Sequence, residues 1–206
     1  IMTGMSCEEI ELERGMAMTG YLGRVSGAEG IHDRPKIKCI VFDDGNMRAA
    51  YVVCDLLGLS SEFVKEAVKL TEDITLLPAG NIVIACTHTH SGPASIFLRH
   101  CGEVDTKWLE KLKYSIARCV KNALQNLEPS VLTYNTGNSD INANRDTIVK
   151  EEAERLRDNQ VGLLTIRSAD GYIIKAMIVN YACHPTVLLD NNLLFSADFP
   201  FYLENE

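Results

Sequence analysis

Two turn signals, each set between apolar runs, limit the fold more than any other feature of the chain. Gly45-Asn46 separates "KIKCIVFDD" (residues 36–44) from "MRAAYVVCD" (47–55), and Asp170-Gly171 separates "VGLLTIRS" from "YIIKAMIVNYAC". Such dipeptides accept the positive φ angles of a tight turn, so each pair of runs reads as a β-hairpin. Helical patterns lie between the hairpins. In "LSSEFVKEAVKLTEDITLL", Phe63, Val64, Ala67, Val68 and Thr71 recur at helical spacing, and Ser60 or Ser61 can cap the first turn. In "VDTKWLEKLKYSIARCVKNALQNL", Trp108, Leu112, Ile116, Cys119, Val120, Ala123 and Leu127 mark one face. Asp105 or Thr106 can cap that helix, and Pro129 is expected to stop it. "NIVIACT" and "SVLTYNTG" read as further strands, and "SADFPFYLENE" as the start of a helix.

Strands joined by hairpins and mixed with helices predict an α/β (or α+β) layered domain with a mixed β-sheet flanked by helices. The 206 residues suffice for one domain, and no internal repeat or low-complexity linker divides them. A single domain over 1–206 is therefore expected. The polar stretch at about 138–160 reads as a partly helical insertion, a lid or a solvated surface segment.

Composition narrows the function. The formal net charge is −8, with no stripe of Lys and Arg, which argues against a nucleic-acid partner. No apolar run reaches the roughly 18 residues of a membrane span, and the N-terminal "IMTGMSCEEIELERG" is acidic and unlike a signal peptide. Seven cysteines are scattered singly, without a CxxC pair. Cys39, Cys54, Cys86 and Cys183 lie in or beside strand-like runs, where a thiol behaves as a small hydrophobe. Reduced thiols and a cytoplasmic location are expected.

The chemistry concentrates in the five histidines. "CTHTHSGP" (Cys86–Pro93) places His88 and His90 two apart at the end of an apolar run, and "NYACHP" (Asn180–Pro185) places His184 at the end of another. In an extended strand residues two apart share a face, so His88 and His90 are expected to project together, with Cys86 beside them. One histidine after a strand is more often a hydrogen-bonded structural residue than a ligand. Three at two strand ends point to a metal. Neutral imidazole suits zinc, while manganese and iron also accept mixed histidine and carboxylate sites. A catalytic zinc takes about three protein ligands and leaves one position open. His32 reads as a loop or rim residue and His100 as solvent-exposed.

Nucleophilic alternatives fare worse. Cys183 and His184 are adjacent, so in a strand they face opposite sides and the imidazole cannot serve as base. Cys86 with His88 is better placed, yet both thiols read as core packers. Ser91 lacks the G-x-S-x-G elbow of a hydrolase nucleophile.

"HTHSGP", "NYACHPTVL" and "FSADFP", with "MTGYLGR" and "IVFDDG" upstream, resemble the N-terminal domain of the neutral/alkaline non-lysosomal ceramidases. The resemblance runs from about Met16 to the last residue. It implies a zinc-dependent amidase that cleaves an N-acyl substrate, a small molecule or lipid amide, by attack of metal-bound water, with one Zn2+ per chain. It implies His88 and His184 as zinc ligands and His90 as the residue that stabilises or protonates the reacting groups. Arg145, in "NANRD", matches the position that holds substrate, and Asp198, in "SADFP", an acidic position near the site. The family's remaining ligands, a Glu and a Tyr, come from further downstream, so the chain is expected to be the N-terminal part of a longer catalytic domain. The alternatives are a catalytically incomplete ceramidase-like domain with a binding or structural role, and a thiol enzyme using Cys86 or Cys183.

Overall fold

A computed structural model describes residues 1–24, 26–144 and 156–205. The chain divides into two compact units, one of Met2–Glu128 and Pro185–Glu206, the other of Pro129–His184 with Ile1.

In the larger unit, β1 (Met2–Glu9), β3 (Lys36–Asp43), β4 (Arg48–Cys54) and β5 (Ile82–Cys86) follow the order β5-β4-β3-β1, and Gly30–Ile31 forms the short β2. The β3–β4 hairpin turns at Gly45 (φ 91) and pairs Val41 with Ala50. β1 pairs antiparallel with β3, and β4 pairs parallel with β5. The sheet is therefore mixed, as expected. The parallel step needs a crossover, which α1 (Ser61–Thr75) supplies. Ser60 caps α1 by accepting the Phe63 N–H at 3.1 Å. Asp105 caps α2 (Thr106–Gln125) by accepting from Lys107 and Trp108.

Both helices follow their sequence periodicity into one core. α2 packs on β1 and β3, and α1 packs on α2. Ile37, Cys39 and Val41 alternate inward from β3 to meet Ile116, Cys119 and Val120, and all six are almost fully buried. Each apolar side chain of that size contributes about 1.5–3 kcal/mol when removed from water.

Two expectations change. "MTGMSCEE", read only as an acidic terminus, is β1 and fills a place in the sheet beside β3. α2 ends at Gln125 with Asn126 as its C-cap, four residues before the expected stop. Pro129 instead lies in β6 (Glu128–Asn138), near the start of the strand, where a missing N–H is tolerated.

In the smaller unit, β6, β7 (Gln160–Ser168) and β8 (Ile174–Tyr181) are antiparallel neighbours. The β7–β8 turn is the expected Asp170-Gly171, with Gly171 at φ 80. Tyr181 closes β8 by donating its hydroxyl to the Ser139 carbonyl at 3.0 Å and accepting the Asn142 N–H at 3.1 Å. The helix expected near 138–160 falls largely on residues 145–155, outside the described residues. Back in the larger unit, β9 (Leu194–Phe195) pairs parallel with β2, and α3 (Phe199–Glu204) begins where "SADFP" suggested.

Candidate metal centre

β5 stops at Cys86, and the next residues continue along the exit of β4. The Thr87 N–H reaches the Cys54 carbonyl at 3.0 Å, and the His88 N–H reaches the Leu56 carbonyl at 2.9 Å. His88 then takes a left-handed backbone, φ 68. The alternation of an extended strand therefore does not extend through "THTH", and Cys86 does not join the histidines. Its thiol is held in the core, where burial pushes its pKa up to about 12. The His88 and His90 rings nonetheless meet, with centroids 5.1 Å apart and planes at 79°.

Hydrogen bonding fixes the His88 ring. Nδ1 lies 2.6 Å from the Leu57 carbonyl. A carbonyl cannot donate, so Nδ1 is the donor of this bond. Histidines that ligate metals characteristically give their other N–H to such an oxygen.

His90 is held by its main chain. Its N–H points to the Pro185 carbonyl at 3.4 Å, and its own carbonyl accepts from Arg24 Nη1 at 2.8 Å. The Tyr21 ring meets the His90 ring edge-on at 5.0 Å. Gly20 leaves room for this: a Cβ there would fall 2.7 Å from His90 Cγ, and its φ of 111 suits glycine alone. Pro185 follows His184 directly in the chain, so the second histidine motif arrives where the first is anchored. His88 and His90 each offer a ring nitrogen from the larger unit, and His184 is the last residue of the smaller one. Imidazole nitrogens of this kind suit zinc.

Buried polar side chains brace the turn. Thr89 Oγ1 donates to the Ser196 carbonyl at 2.9 Å and accepts the Ser91 N–H at 3.1 Å. Asn192 Nδ2 donates to Ser91 Oγ at 3.0 Å, which occupies that hydroxyl in a structural bond. Asp198, only 1% exposed, accepts the N–H groups of Val187 and Leu188 at 3.2 and 3.1 Å. It thereby fixes the segment just after His184 and caps α3 through Phe199. Asp33 accepts from the Ala197 N–H at 2.8 Å and from the Ser196 hydroxyl.

Of the residues singled out in the sequence, the rings of His88 and His90 meet, and Asp198 fixes the segment just after His184. His32 instead pairs with Asp33 at 2.9 Å, and His100 is exposed. Arg145 lies outside the described residues. The sequence reading gave Arg24 and Asp33 no role. Arg24 does fall inside "MTGYLGR", but only its burial, with hydrogen bonds to four carbonyls, reveals what it holds. Burial also draws its guanidinium pKa below the ordinary value.

Several known proteins resemble this chain. Neutral ceramidase B of Dictyostelium discoideum is 27% identical over 215 residues, covering 96% of this chain and 29% of that protein. Neutral ceramidase A of the same organism is 38% identical over 84 residues, which is 37% of this chain and 11% of that one. The fold is shared with the crystal structure of neutral ceramidase from Pseudomonas aeruginosa, with a TM-score of 0.76 at 23% identity over 96% of this chain and 34% of that one. The chain thus spans about a third or less of the length of these relatives. Residues 10–201 match the family described as neutral/alkaline non-lysosomal ceramidase, N-terminal, and the chain belongs to that family.

Proposed function

We propose that this chain carries the histidine side of a zinc site in a hydrolase that cleaves the amide bond of a ceramide-like N-acyl lipid. The observation that carries the proposal is the meeting of the His88 and His90 rings, with His88 fixed through Nδ1 by the Leu57 carbonyl. His88 and His184 would hold the ion. A zinc ion held there would supply a water acidic enough to act near neutral pH and a Lewis acid for the substrate carbonyl. His90, beside those ligands, stabilises negative charge on the amide oxygen and gives a proton to the leaving amine nitrogen. Arg145 binds a substrate oxygen in this reading. Family membership and the names of the relatives support the substrate class.

The test is metal analysis of the purified full-length protein beside His88→Ala and His184→Ala. About one zinc per chain, lost in both variants, is the expected result. Hydrolysis of short-chain ceramides should then fall in His90→Ala and Arg145→Ala while zinc stays bound. Folded wild-type protein that takes up no zinc would overturn the reading. Protein that binds zinc but cleaves no N-acyl substrate would favour the incomplete, binding-only alternative.

A further inference from the structure

We propose that Arg24 is a positioning residue for the histidine cluster, setting the main chain of His90 and of the segment that follows His184. The inference rests on the metal reading given above for its consequence, not for its geometry. Arg24 is 7% exposed, and its side-chain hydrogen bonds run to backbone carbonyls. Nη1 donates to His90 at 2.8 Å and to Thr19 at 3.4 Å, Nη2 to Leu189 at 3.1 Å, and Nε to Asp190 at 3.3 Å. One planar fork thus ties the "HTH" turn to the 186–190 loop. Bonds from a charged donor are about twice as strong as neutral ones. They offset the burial of a cation that is largely withdrawn from solvent.

Tyr21 completes the brace. Its ring lies 4.7 Å from the Arg24 guanidinium carbon and packs edge-on to the His90 ring, and its hydroxyl reaches the Thr186 carbonyl at 3.4 Å. Arg24 meets His90 at the carbonyl oxygen, so it acts through the backbone. Lysine carries the charge but has no rigid fork to span four carbonyls in three segments. A cation of either kind would serve if only charge mattered.

The test compares full-length wild type with Arg24→Lys and Arg24→Gln. Arg24→Gln has no charge to bury, so it keeps the test open if the lysine variant does not fold. The first readout is the spectrum of isotope-labelled histidines in metal-free protein. Both variants should shift the His90 ring signals and leave those of His32 and His100 in place. The second readout is zinc affinity by competition with a chelator, which should fall roughly 10- to 100-fold, as for other residues that orient ligands. His90 signals identical to wild type, or unchanged zinc affinity in zinc-binding protein, would overturn the proposal. Wild-type protein that binds no zinc would overturn the metal reading alone, and the histidine spectra would then decide the role of Arg24.

Discussion

The His88 imidazole gives its Nδ1 proton to the Leu57 carbonyl at 2.6 Å, across 31 positions of sequence. Leu57 lies just beyond the end of β4, and His88 just beyond the end of β5, and these strands are parallel neighbours. The ring therefore takes its orientation from the rim of the sheet. Its Nε2 is aimed by rigid structure rather than by the loop itself, which lowers the ordering a bound ion must impose.

Gly20→Ala should disturb the site without touching a ligand. The new methyl would sit 2.7 Å from His90 Cγ, on a backbone at φ 111. Strain of that kind costs about 1–3 kcal/mol. Chemical denaturation should show the loss, and zinc affinity should fall with it. Wild-type behaviour in both would mean that His90 is not packed against Gly20.

Asp198→Ala removes the acceptor for three backbone N–H groups, those of Val187, Leu188 and Phe199. Stability should drop by about 2 kcal/mol or more, since each buried donor left unsatisfied costs roughly 1–3 kcal/mol. Asp198→Asn retains one acceptor oxygen and should lose less. Melting temperature and zinc competition measure both effects. An alanine variant that melts with wild type would remove Asp198 as the clamp of this segment.

Lys38→Met should expose a buried ion pair through its pH dependence. Lys38 Nζ bonds both oxygens of Asp55, at 2.8 and 3.0 Å, and also meets Glu204. Burial pushes the Asp55 carboxyl above its ordinary pKa even with Lys38 beside it. Burial also opposes the Lys38 ammonium, but Asp55 and Glu204 outweigh it and hold its pKa up. Without the cation, the folded carboxyl rises further above its unfolded value of about 3.9. A raised carboxyl stabilises the fold while protonated and loses that contribution as pH rises. The variant should therefore match wild type best below about pH 4. Near neutrality it should fall behind by about 3–5 kcal/mol. A deficit independent of pH would rule out Asp55 as its source.

The core thiols should resist alkylation. Burial raises the pKa of Cys39, of Cys54, of Cys86 to about 12 and of Cys119 to about 11. Thiolate is the reactive form, so these residues should stay unmodified by iodoacetamide at neutral pH. Cys7, exposed on β1, should label before any of these four. Cys86→Ala should bind zinc as wild type does. Rapid labelling of Cys86, with loss of function, would revive the thiol-enzyme alternative.

The sequence by itself determined what depends on neighbours along the chain. Gly45 and Gly171 announce both hairpins because tight turns need positive φ, and both are observed. Ser60 and Asp105 cap their helices because their oxygens reach N–H groups two or three residues on. The apolar faces of α1 and α2 follow from the helical period of 3.6 residues. The three site histidines were legible as well, since two of them stand together after one strand and the third after another.

The tertiary structure decided the rest. The place of β1 depends on pairing with β3, some thirty residues away, and no local pattern in "MTGMSCEE" encodes that partner. His88 and His90 approach each other, but not by the strand alternation that predicted it. The chain leaves β5 at Cys86, and His88 adopts φ 68 because Leu56 and Leu57 capture its N–H and its ring. Arg24 has no assigned role in the sequence until four carbonyls from three segments converge on it. Periodicity and turn chemistry act over a few residues and survive in the sequence as patterns. Burial, and the carbonyl at which a donor finally rests, exist only once distant segments have met.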